Sequence, residues 1–258
     1  NNLKLTKILE KAKSGTHEKG SIYQLIGDYY QSFMNIEERN QKTDQVVKSI
    51  VELMKQVNSK EQLAAVVSRL HIKGVSAFFN FGVQQDLKNI DRHLASISQG
   101  GLGLPNKTYY FDENKVDILK KYIHYVATLF EMTGISEGAY EMAQSAVSIE
   151  EYLAKFMMEP SELRVPENTY NPTSRDKFIN SLHGFNMSLY FQSMDIKSFD
   201  TLIVGQPEYF PALSELINST SLPELKNYLT LRLLNHYAPH LGENFIKIHF
   251  DFYGTTLS

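Results

Sequence analysis

The histidine pair His236 and His240 is the closest approach of this sequence to a metal site. The pattern His-Glu-x-x-His binds zinc because it puts two imidazoles on one face of a helix, beside a glutamate that activates water. Here no glutamate follows His236, and Pro239 lies between the two histidines, where it disrupts helical geometry. We therefore interpret the pair as polar residues at a helix end, near its last carbonyl groups.

Other residues whose side chains could bind a metal or take part in catalysis are scattered along the chain. A metal site built from distant histidines, such as His71 and His183 with a carboxylate, stays open at this point. The acidic pairs Glu37-Glu38 and Glu150-Glu151 are interpreted as solvated helix faces. The chain has no cysteine, which excludes disulfides, thiolate metal sites and cysteine nucleophiles.

A glycine-rich segment at residues 100–105, Gly-Gly-Leu-Gly-Leu-Pro, is here called the glycine loop. It lacks the third spaced glycine and the lysine of a phosphate-binding loop, so we expect no nucleotide site there. It could line a cavity or act as a hinge, but we favour a tight turn whose glycines adopt positive φ or allow close packing. The sequence thus predicts no catalytic, cofactor-binding or metal-ligating residue in this chain.

The bulk composition narrows the function classes. The 258 residues carry a net charge of −3, which gives no electrostatic case for nucleic acid, because nucleic-acid-binding proteins usually carry a basic patch. No apolar run is long enough to cross a bilayer. The N-terminus has neither a signal peptide nor an initiator Met, and we therefore expect it to lie inside a longer gene product.

Apolar residues recur at helical spacing over most of the chain. Ser21 with Gln24 and Ser59 with Gln62 are candidate capping boxes at two of the helix starts. The predicted helices cover residues 3–13, 21–34, 46–54, 59–70, 115–130, 136–156, 173–176 onward, 207–217 and 221–237.

The spacing changes to period two after Gly74. Apolar residues alternate over residues 75–83, which predicts a strand, and residues 91–99 are its candidate partner across a turn at residues 84–90. Residues 201–204 are short and β-branched and form another candidate strand. The predicted fold class is mostly α, a multi-helix lobe with one small β-hairpin.

Six short motifs occur in order along the chain. They are Phe81-Gly82-Val83 with Asp86 and Lys88-Asn89; Gln99 followed by the glycine loop and Tyr109-Tyr110; Glu162-Leu163-Arg164-x-Pro166 with Tyr170-Asn171; Val204-Gly205-Gln206-Pro207-Glu208-Tyr209-Phe210; Leu234-Asn235-x-Tyr237-Ala238-Pro239; and Phe250-x-Phe252-Tyr253-Gly254. Each motif is weak alone, but together their order resembles the neprilysin family of zinc metallopeptidases, especially its bacterial oligopeptidase branch. The absence of cysteines favours a bacterial relative.

The resemblance implies that residues 1–258 are the N-terminal, largely helical cap of a zinc metalloendopeptidase. In that family the zinc helix, the downstream glutamate ligand, the Asn-Ala-x-Tyr substrate strand and the catalytic histidine follow the Phe-Tyr-Gly element. We therefore expect them C-terminal to Ser258, with zinc in the full-length parent and this chain inactive alone. The implied partners are oligopeptide substrates and a C-terminal catalytic domain, in an extracytoplasmic location.

A second hypothesis belongs to another class. The chain could be a stand-alone, non-catalytic helical module that binds peptides or proteins. A His-Glu-x-x-His motif encoded beyond Ser258 supports the peptidase, whereas a stop codon there supports the module.

Overall fold

A computed structural model describes residues 1–135 and 137–257. In these ranges the chain forms thirteen α-helices and one small sheet, which confirms the mostly α class. The helices are α1 (Asn2–Lys13), α2 (Ile22–Met34), α3 (Ile36–Lys55), α4 (Leu63–Ile72), α5 (Thr108–Phe111), α6 (Val116–Glu131), α7 (Ala139–Lys155), α8 (Pro166–Thr169), α9 (Arg175–Ser181), α10 (Met187–Ser193), α11 (Tyr209–Ser219), α12 (Leu222–Tyr237) and α13 (Glu243–Phe250). The strands are β1 (Phe79–Asp86), β2 (Asn89–Gln99), β3 (Pro172–Ser174) and β4 (Thr201–Val204).

The chain also contains four short 3₁₀ turns and one π-helix in the described ranges. Three-residue 3₁₀ turns lie at Lys60–Gln62, Glu113–Lys115, Glu162–Arg164 and Ala238–His240, and a π-helix at Asp251–Thr256 follows α13.

The predicted capping residues begin their helices, with one difference in detail. The Ser21 hydroxyl accepts a bond from the Gln24 N–H, but the Gln24 side chain binds the N–H of Gly20, so the reciprocal box is absent there. The Ser59–Gln62 box is present and precedes the 3₁₀ turn that leads into α4. These side chains satisfy backbone donors that a helix start leaves without partners.

The hairpin is confirmed, but its first strand begins later than predicted. β1 starts at Phe79 rather than at residue 75, and the turn consists of residues 87–88 rather than 84–90. Phe78 has a positive φ of 60°, and its N–H donates to the Tyr228 hydroxyl instead of to a neighbouring strand. The Phe78 carbonyl accepts from Tyr209. Two tertiary hydrogen bonds therefore replace strand pairing immediately before β1.

The sheet has the order β1-β2-β4-β3. β1 and β2 are antiparallel, β2 and β4 are parallel, and β3 and β4 are antiparallel. The strand predicted at residues 201–204 is confirmed as β4. The sequence missed β3, because three prolines between residues 160 and 172 indicated an irregular loop.

Several helices differ from their predicted bounds. The short helix expected from Thr173 begins instead at Arg175, with Ser174 as its cap. Helices α5, α8, α10 and α13 were not predicted. The helix start that the sequence placed at Ser136 lies outside the described residues, and α7 is described from Ala139.

Helix α7 lies at the centre of the helical body and contacts α6, α11 and α12. The apolar face predicted for α6 is largely buried: Tyr122, Val126 and Phe130 are fully enclosed. In the described ranges, no helix is both long enough and apolar enough to span a membrane.

Candidate functional site

The glycine loop is the point at which tyrosines from three elements meet. Three of its carbonyl groups accept bonds from tyrosine hydroxyls that α11, α12 and the π-helix contribute. The bonds are Tyr209 to Gly100 at 3.1 Å, Tyr228 to Gly101 at 2.8 Å and Tyr253 to Gly103 at 2.9 Å. The loop also donates, from the Leu104 N–H to the Tyr110 hydroxyl at 3.2 Å. Four backbone groups of the loop are therefore hydrogen-bonded to tyrosine side chains of this chain.

Two glycines of this loop are required by its geometry. Gly101 has φ of +88°, and a Cβ there would lie 2.2 Å from the Tyr228 hydroxyl. A Cβ on Gly103 would lie 1.7 Å from the Tyr122 hydroxyl. Both distances are far below van der Waals contact, so a side chain would displace the buried tyrosines. The structure confirms the favoured prediction of a tight turn with close packing.

A buried ion pair lies beneath the loop. Glu150 of α7 is completely enclosed, and the Arg232 Nη1 atom lies 3.2 Å from its Oε1 atom. The Tyr110 hydroxyl donates to the Glu150 carboxylate at 2.8 Å, and the Tyr122 hydroxyl does so at 3.3 Å. Arg232 also donates from Nε to the Ser76 carbonyl at 2.8 Å. Buried charges are tolerated when partners satisfy them in this way.

The prediction that Glu150 lies on a solvated helix face is wrong. Helix α7 is enclosed by α6, α11 and α12, so it has no solvent-facing side at this position. Glu151 is half-buried, whereas Glu37 and Glu38 are exposed as predicted. Two adjacent glutamates could not show which of them points inward. An arginine among the apolar residues of α12 was the available signal that a buried carboxylate was needed.

The pKa shifts in this cluster follow from its burial. Burial raises the pKa of the Glu150 carboxyl, while Arg232 and the two tyrosines oppose that rise. Burial likewise raises the pKa of Tyr110 and Tyr122, so both hydroxyls stay protonated and remain donors. Since Glu150 has no exposed surface, a substrate cannot reach it in this conformation. The cluster supports the loop, because the Tyr110 hydroxyl that donates to Glu150 also accepts from the Leu104 N–H.

The histidine pair lies at a helix end, as predicted. His236 is in the last turn of α12, and His240 is in the following 3₁₀ turn, with Pro239 between them. Burial and the neighbouring His240 and Arg232 lower the pKa of His236. The His240 carbonyl accepts from Arg39 Nε at 3.2 Å, which ties this corner to α3.

The two distant histidines do not form a metal site together. The Nδ1 atom of His71 lies 2.7 Å from the Tyr190 hydroxyl, and its Nε2 atom lies 3.0 Å from the Ala77 carbonyl. A carbonyl can only accept, so Nε2 carries the proton and Nδ1 accepts. His183 is exposed. Across residues 1–135 and 137–257, no three histidine, aspartate or glutamate side chains are grouped so that they could hold a metal ion.

The sequence motifs contact one another in pairs. The Asp86 carboxylate at the hairpin turn accepts from the Tyr170 hydroxyl at 2.6 Å, and this bond lowers the pKa of Asp86. The buried Gln206 side chain accepts from the Gln99 N–H at 2.7 Å. The Asn235 amide donates to the Tyr253 hydroxyl at 2.9 Å. Residues far apart in sequence thus meet around the hairpin and the glycine loop.

An apolar surface on α1 and α2 has no covering element in the described part of the chain. Six residues line a cavity of about 340 Å³ here: Leu9, Leu25, Ile26, Tyr29, Tyr30 and Phe33. Leu25 is 58% exposed and Tyr29 is 73% exposed. We call this surface the α1–α2 face. The predicted helix is confirmed, but the apolar stripe that predicted it is largely exposed, and Gly27 is the buried residue of α2.

The chain matches a known protein family and is similar in sequence to known proteins. The sequence profile of peptidase family M13 matches residues 1–258. A neutral endopeptidase of Lactobacillus helveticus is 28% identical over 178 residues, which are 67% of this chain and 27% of that protein. Endothelin-converting enzyme 1 of Bos taurus is 25% identical over 195 residues, 73% of this chain and 26% of that protein.

A solved structure shares the fold over the whole chain. The zinc metalloprotease ZMP1 of Mycobacterium tuberculosis, in complex with an inhibitor, is 26% identical and superposes with a TM-score of 0.89, covering 100% of this chain and 40% of that one. The present chain thus spans about a quarter of the length of the curated relatives that it matches.

Proposed function

Because this chain belongs to peptidase family M13, we propose that residues 1–258 form the N-terminal helical lobe of a zinc-dependent metalloendopeptidase. In this proposal the lobe closes over a C-terminal catalytic domain of the same protein and limits the size of the peptides that enter. The substrates are oligopeptides, and the lobe itself performs no step of the hydrolysis.

The α1–α2 face is the observation that carries the proposal. An exposed apolar surface that includes Leu25, Tyr29 and Phe33 is costly in water, and such surfaces mark sites that another element covers. The matched relatives are about four times as long as the region that aligns with this chain. A lobe that packs on further polypeptide of the same protein accounts for both facts.

Zinc is implied by the family, but the described residues do not fit it. In residues 1–135 and 137–257, no set of histidine and carboxylate side chains is arranged as a metal site, and a catalytic zinc needs three protein ligands. We therefore propose that a C-terminal domain supplies the zinc ligands, the general base and the catalytic histidine. The contribution of this chain is to shape access to them.

The same proposal covers location and partners. We propose an extracytoplasmic enzyme, on the basis of the family alone. No nucleic-acid partner is proposed, because a net charge of −3 gives no electrostatic case for one.

The test uses the whole gene product. Its cleavage of a quenched fluorescent oligopeptide is compared with its cleavage of an unfolded protein of several hundred residues, with and without a chelator. We expect chelator-sensitive cleavage of the peptide and slow cleavage of the protein. Equal rates on both substrates would overturn the size limit. A gene product that binds peptides but never cleaves them would favour the non-catalytic module instead.

A further inference from the structure

Strand β1 lies at the edge of the sheet. The strand order gives it one neighbour, β2, and in residues 1–135 and 137–257 no strand pairs with its other side. An unpaired edge offers a row of backbone N–H and C=O groups to a further strand, and natural proteins commonly block such edges with charged residues or prolines. From Phe79 to Gln85, β1 contains neither, so this part of the edge can accept another strand.

The hydrogen bonds of β2 show which residues of β1 face the open edge. The Ile97 carbonyl accepts from the Gly205 N–H at 2.8 Å, so the backbone groups of Ile97 face β4. Ile97 lies opposite Phe81 in the hairpin, and the two therefore form a non-hydrogen-bonded pair. Because facing alternates along a strand, the N–H and C=O groups of Phe81, Val83 and Gln85 point away from β2.

This open edge has defined ends. At one end, the Phe79 N–H donates to the Ala77 carbonyl at 2.7 Å. At the other end, the register shifts between Gln85 and Asp86, and a bulge bends a strand and interrupts its pairing. Residues 81–85 lie between these ends. At about 3.4 Å per residue, they match an extended peptide segment of about five residues.

A strand can approach this edge closely. Val83 is 70% exposed, and Gln84 and Gln85 are exposed as well. A Cβ on Gly82 would have no atom within 4 Å, so the backbone at the middle of the edge lies beside open space. The outward-facing groups of the edge are therefore accessible in the described part of the chain.

The hairpin that carries the edge is fixed in place. The Phe81 ring packs on Phe191 of α10, with ring centres 5.4 Å apart. At the turn, the Asp86 carboxylate accepts from the Tyr170 hydroxyl at 2.6 Å and from the Lys88 N–H at 3.0 Å. A strand that is already ordered loses little conformational freedom when it binds a partner.

The composition of the edge favours a partner whose sequence varies. Gly82 has no side chain, and Gln84 and Gln85 carry uncharged amides, so the backbone supplies most of the contacts that the edge offers. In added strands, main-chain hydrogen bonds give affinity, whereas side-chain pockets give specificity. Oligopeptide substrates differ in sequence and suit main-chain contacts. A constant segment of the same protein would be matched by side chains, as on the α1–α2 face.

We propose that the outer edge of β1 binds an oligopeptide substrate as an added strand, through the backbone groups of Phe81, Val83 and Gln85. This inference rests on the proposed function, which supplies the class of ligand. The edge holds the peptide in an extended form and accepts many sequences, because the hydrogen bonds involve only main-chain groups.

The experiment measures binding in the whole gene product, with a chelator present to prevent cleavage. The probe is a fluorescein-labelled peptide of alternating valine and threonine with a lysine at each end. Val83→Pro removes the central N–H donor of the edge, and we expect it to raise the Kd on the order of tenfold. Leu87→Pro is the matched control, because Leu87 is 59% exposed in the hairpin turn, outside the open edge, and this variant should bind as the wild type does. Equal Kd values for the two variants, or no binding by the wild type, would overturn the proposal.

Modified probes test the strand geometry without any variant. The N–H groups of a strand point alternately to its two sides. N-methylation of every second residue leaves one side intact and should preserve binding, whereas N-methylation of every residue should abolish it. Binding of the fully methylated probe would contradict main-chain pairing.

Hydrogen exchange in the whole gene product identifies the occupant of the edge. Without peptide, the amides of Phe81, Val83 and Gln85 should exchange fast, and saturating probe should protect them. Protection without peptide would overturn the proposal: if it persists on dilution, the same protein covers the edge, and if it is lost, a second copy does. A wild-type product that binds the probe but cleaves no peptide would overturn the proposed function and leave the edge as a peptide-binding site.

Discussion

The region of the glycine loop and the α1–α2 face differ in which groups they bury: charged residues are buried beneath the loop, whereas apolar residues are exposed on the face. Beneath the loop, the charged residues Glu150 and Arg232 are buried, and every partner that they need is supplied by the protein. On α1 and α2, large apolar side chains such as Leu25 and Tyr29 are exposed. The first region is complete within this chain. In the proposed function, the α1–α2 face is covered by another element.

The lobe thus combines a buried polar framework with an exposed apolar face, and in the proposed function that face is a contact surface. Substitutions in the framework should change the stability of the chain itself. Substitutions on the α1–α2 face should leave that stability nearly unchanged and alter only the association with other polypeptide. The following predictions test whether the two regions separate in this way.

The largest effect is expected at the buried ion pair. Glu150→Ala leaves the Arg232 guanidinium buried without its carboxylate, which costs about 3 to 5 kcal/mol in comparable cases. Chemical denaturation should show this loss in the free energy of unfolding. Glu37→Ala, at an exposed glutamate, is the matched control and should change it by less than about 0.5 kcal/mol. Similar values for the two variants would contradict the structural role of Glu150.

The second largest loss of stability is expected from substitutions in the glycine loop. Gly103→Ala places a Cβ against the Tyr122 hydroxyl, and Gly101→Ala adds a positive-φ penalty. Overpacking of this kind typically costs about 1 to 3 kcal/mol. Gly82→Ala is the control, because its Cβ would have no atom within 4 Å. A melting temperature that is unchanged by Gly103→Ala would remove the packing explanation for this loop.

A smaller change in the free energy of unfolding is expected when the pH is lowered. Burial lowers the pKa of His71 below its ordinary value of 6.5, and the Ala77 carbonyl opposes the shift only in part. The unfolded chain therefore takes up a proton near pH 6.5 while the folded chain does not, so stability decreases as the pH falls through that value. Burial also lowers the pKa of His236 and His249, and these histidines act in the same direction.

The contribution of His71 can be isolated with His71→Gln. The decrease in unfolding free energy between pH 7.5 and pH 5.5 should become shallower in this variant. His183→Gln, the same substitution at an exposed position, is the control. A steeper loss in His71→Gln would reverse the sign of the argument.

The smallest effect on stability is expected on the α1–α2 face. Leu25→Ser with Tyr29→Ser should change the free energy of unfolding of this chain by no more than about 0.5 kcal/mol per site, because both side chains are already largely exposed. In the whole gene product, the same pair should weaken the contact between the lobe and the remaining polypeptide, detectable as faster proteolysis between them. A large loss of stability in the chain alone would show that the face is internal to the lobe.

Local patterns in the sequence were sufficient for most of the helical framework. Ser221 with Glu224 forms the expected start of α12, and the period-two segment before the glycine loop forms a hairpin. The prediction of the loop as a packed turn was also correct, because Gly101 needs a positive φ. These features depend on neighbouring residues, which a sequence shows directly.

Features that depend on tertiary contacts were missed. Periodicity identified the apolar stripe of α2 but could not show that nothing in the described chain covers it. The burial of Glu150 depends on three helices that close around α7, and local patterns along the chain do not show how those helices are arranged. Strand β3 forms because β4 is beside it, although its sequence contains a proline. In each case the deciding partner is distant along the chain.

The measurement that tests the central claim most directly is a calorimetric titration of this chain with zinc at neutral pH, alongside the whole gene product in a peptide cleavage assay. The account predicts no stoichiometric zinc binding and no turnover by the chain alone. It predicts one tightly bound zinc and chelator-sensitive turnover when the remaining polypeptide is present. Stoichiometric submicromolar zinc binding by residues 1–258, together with chelator-sensitive cleavage of the peptide, would contradict the claim that this lobe shapes access to a zinc centre held elsewhere.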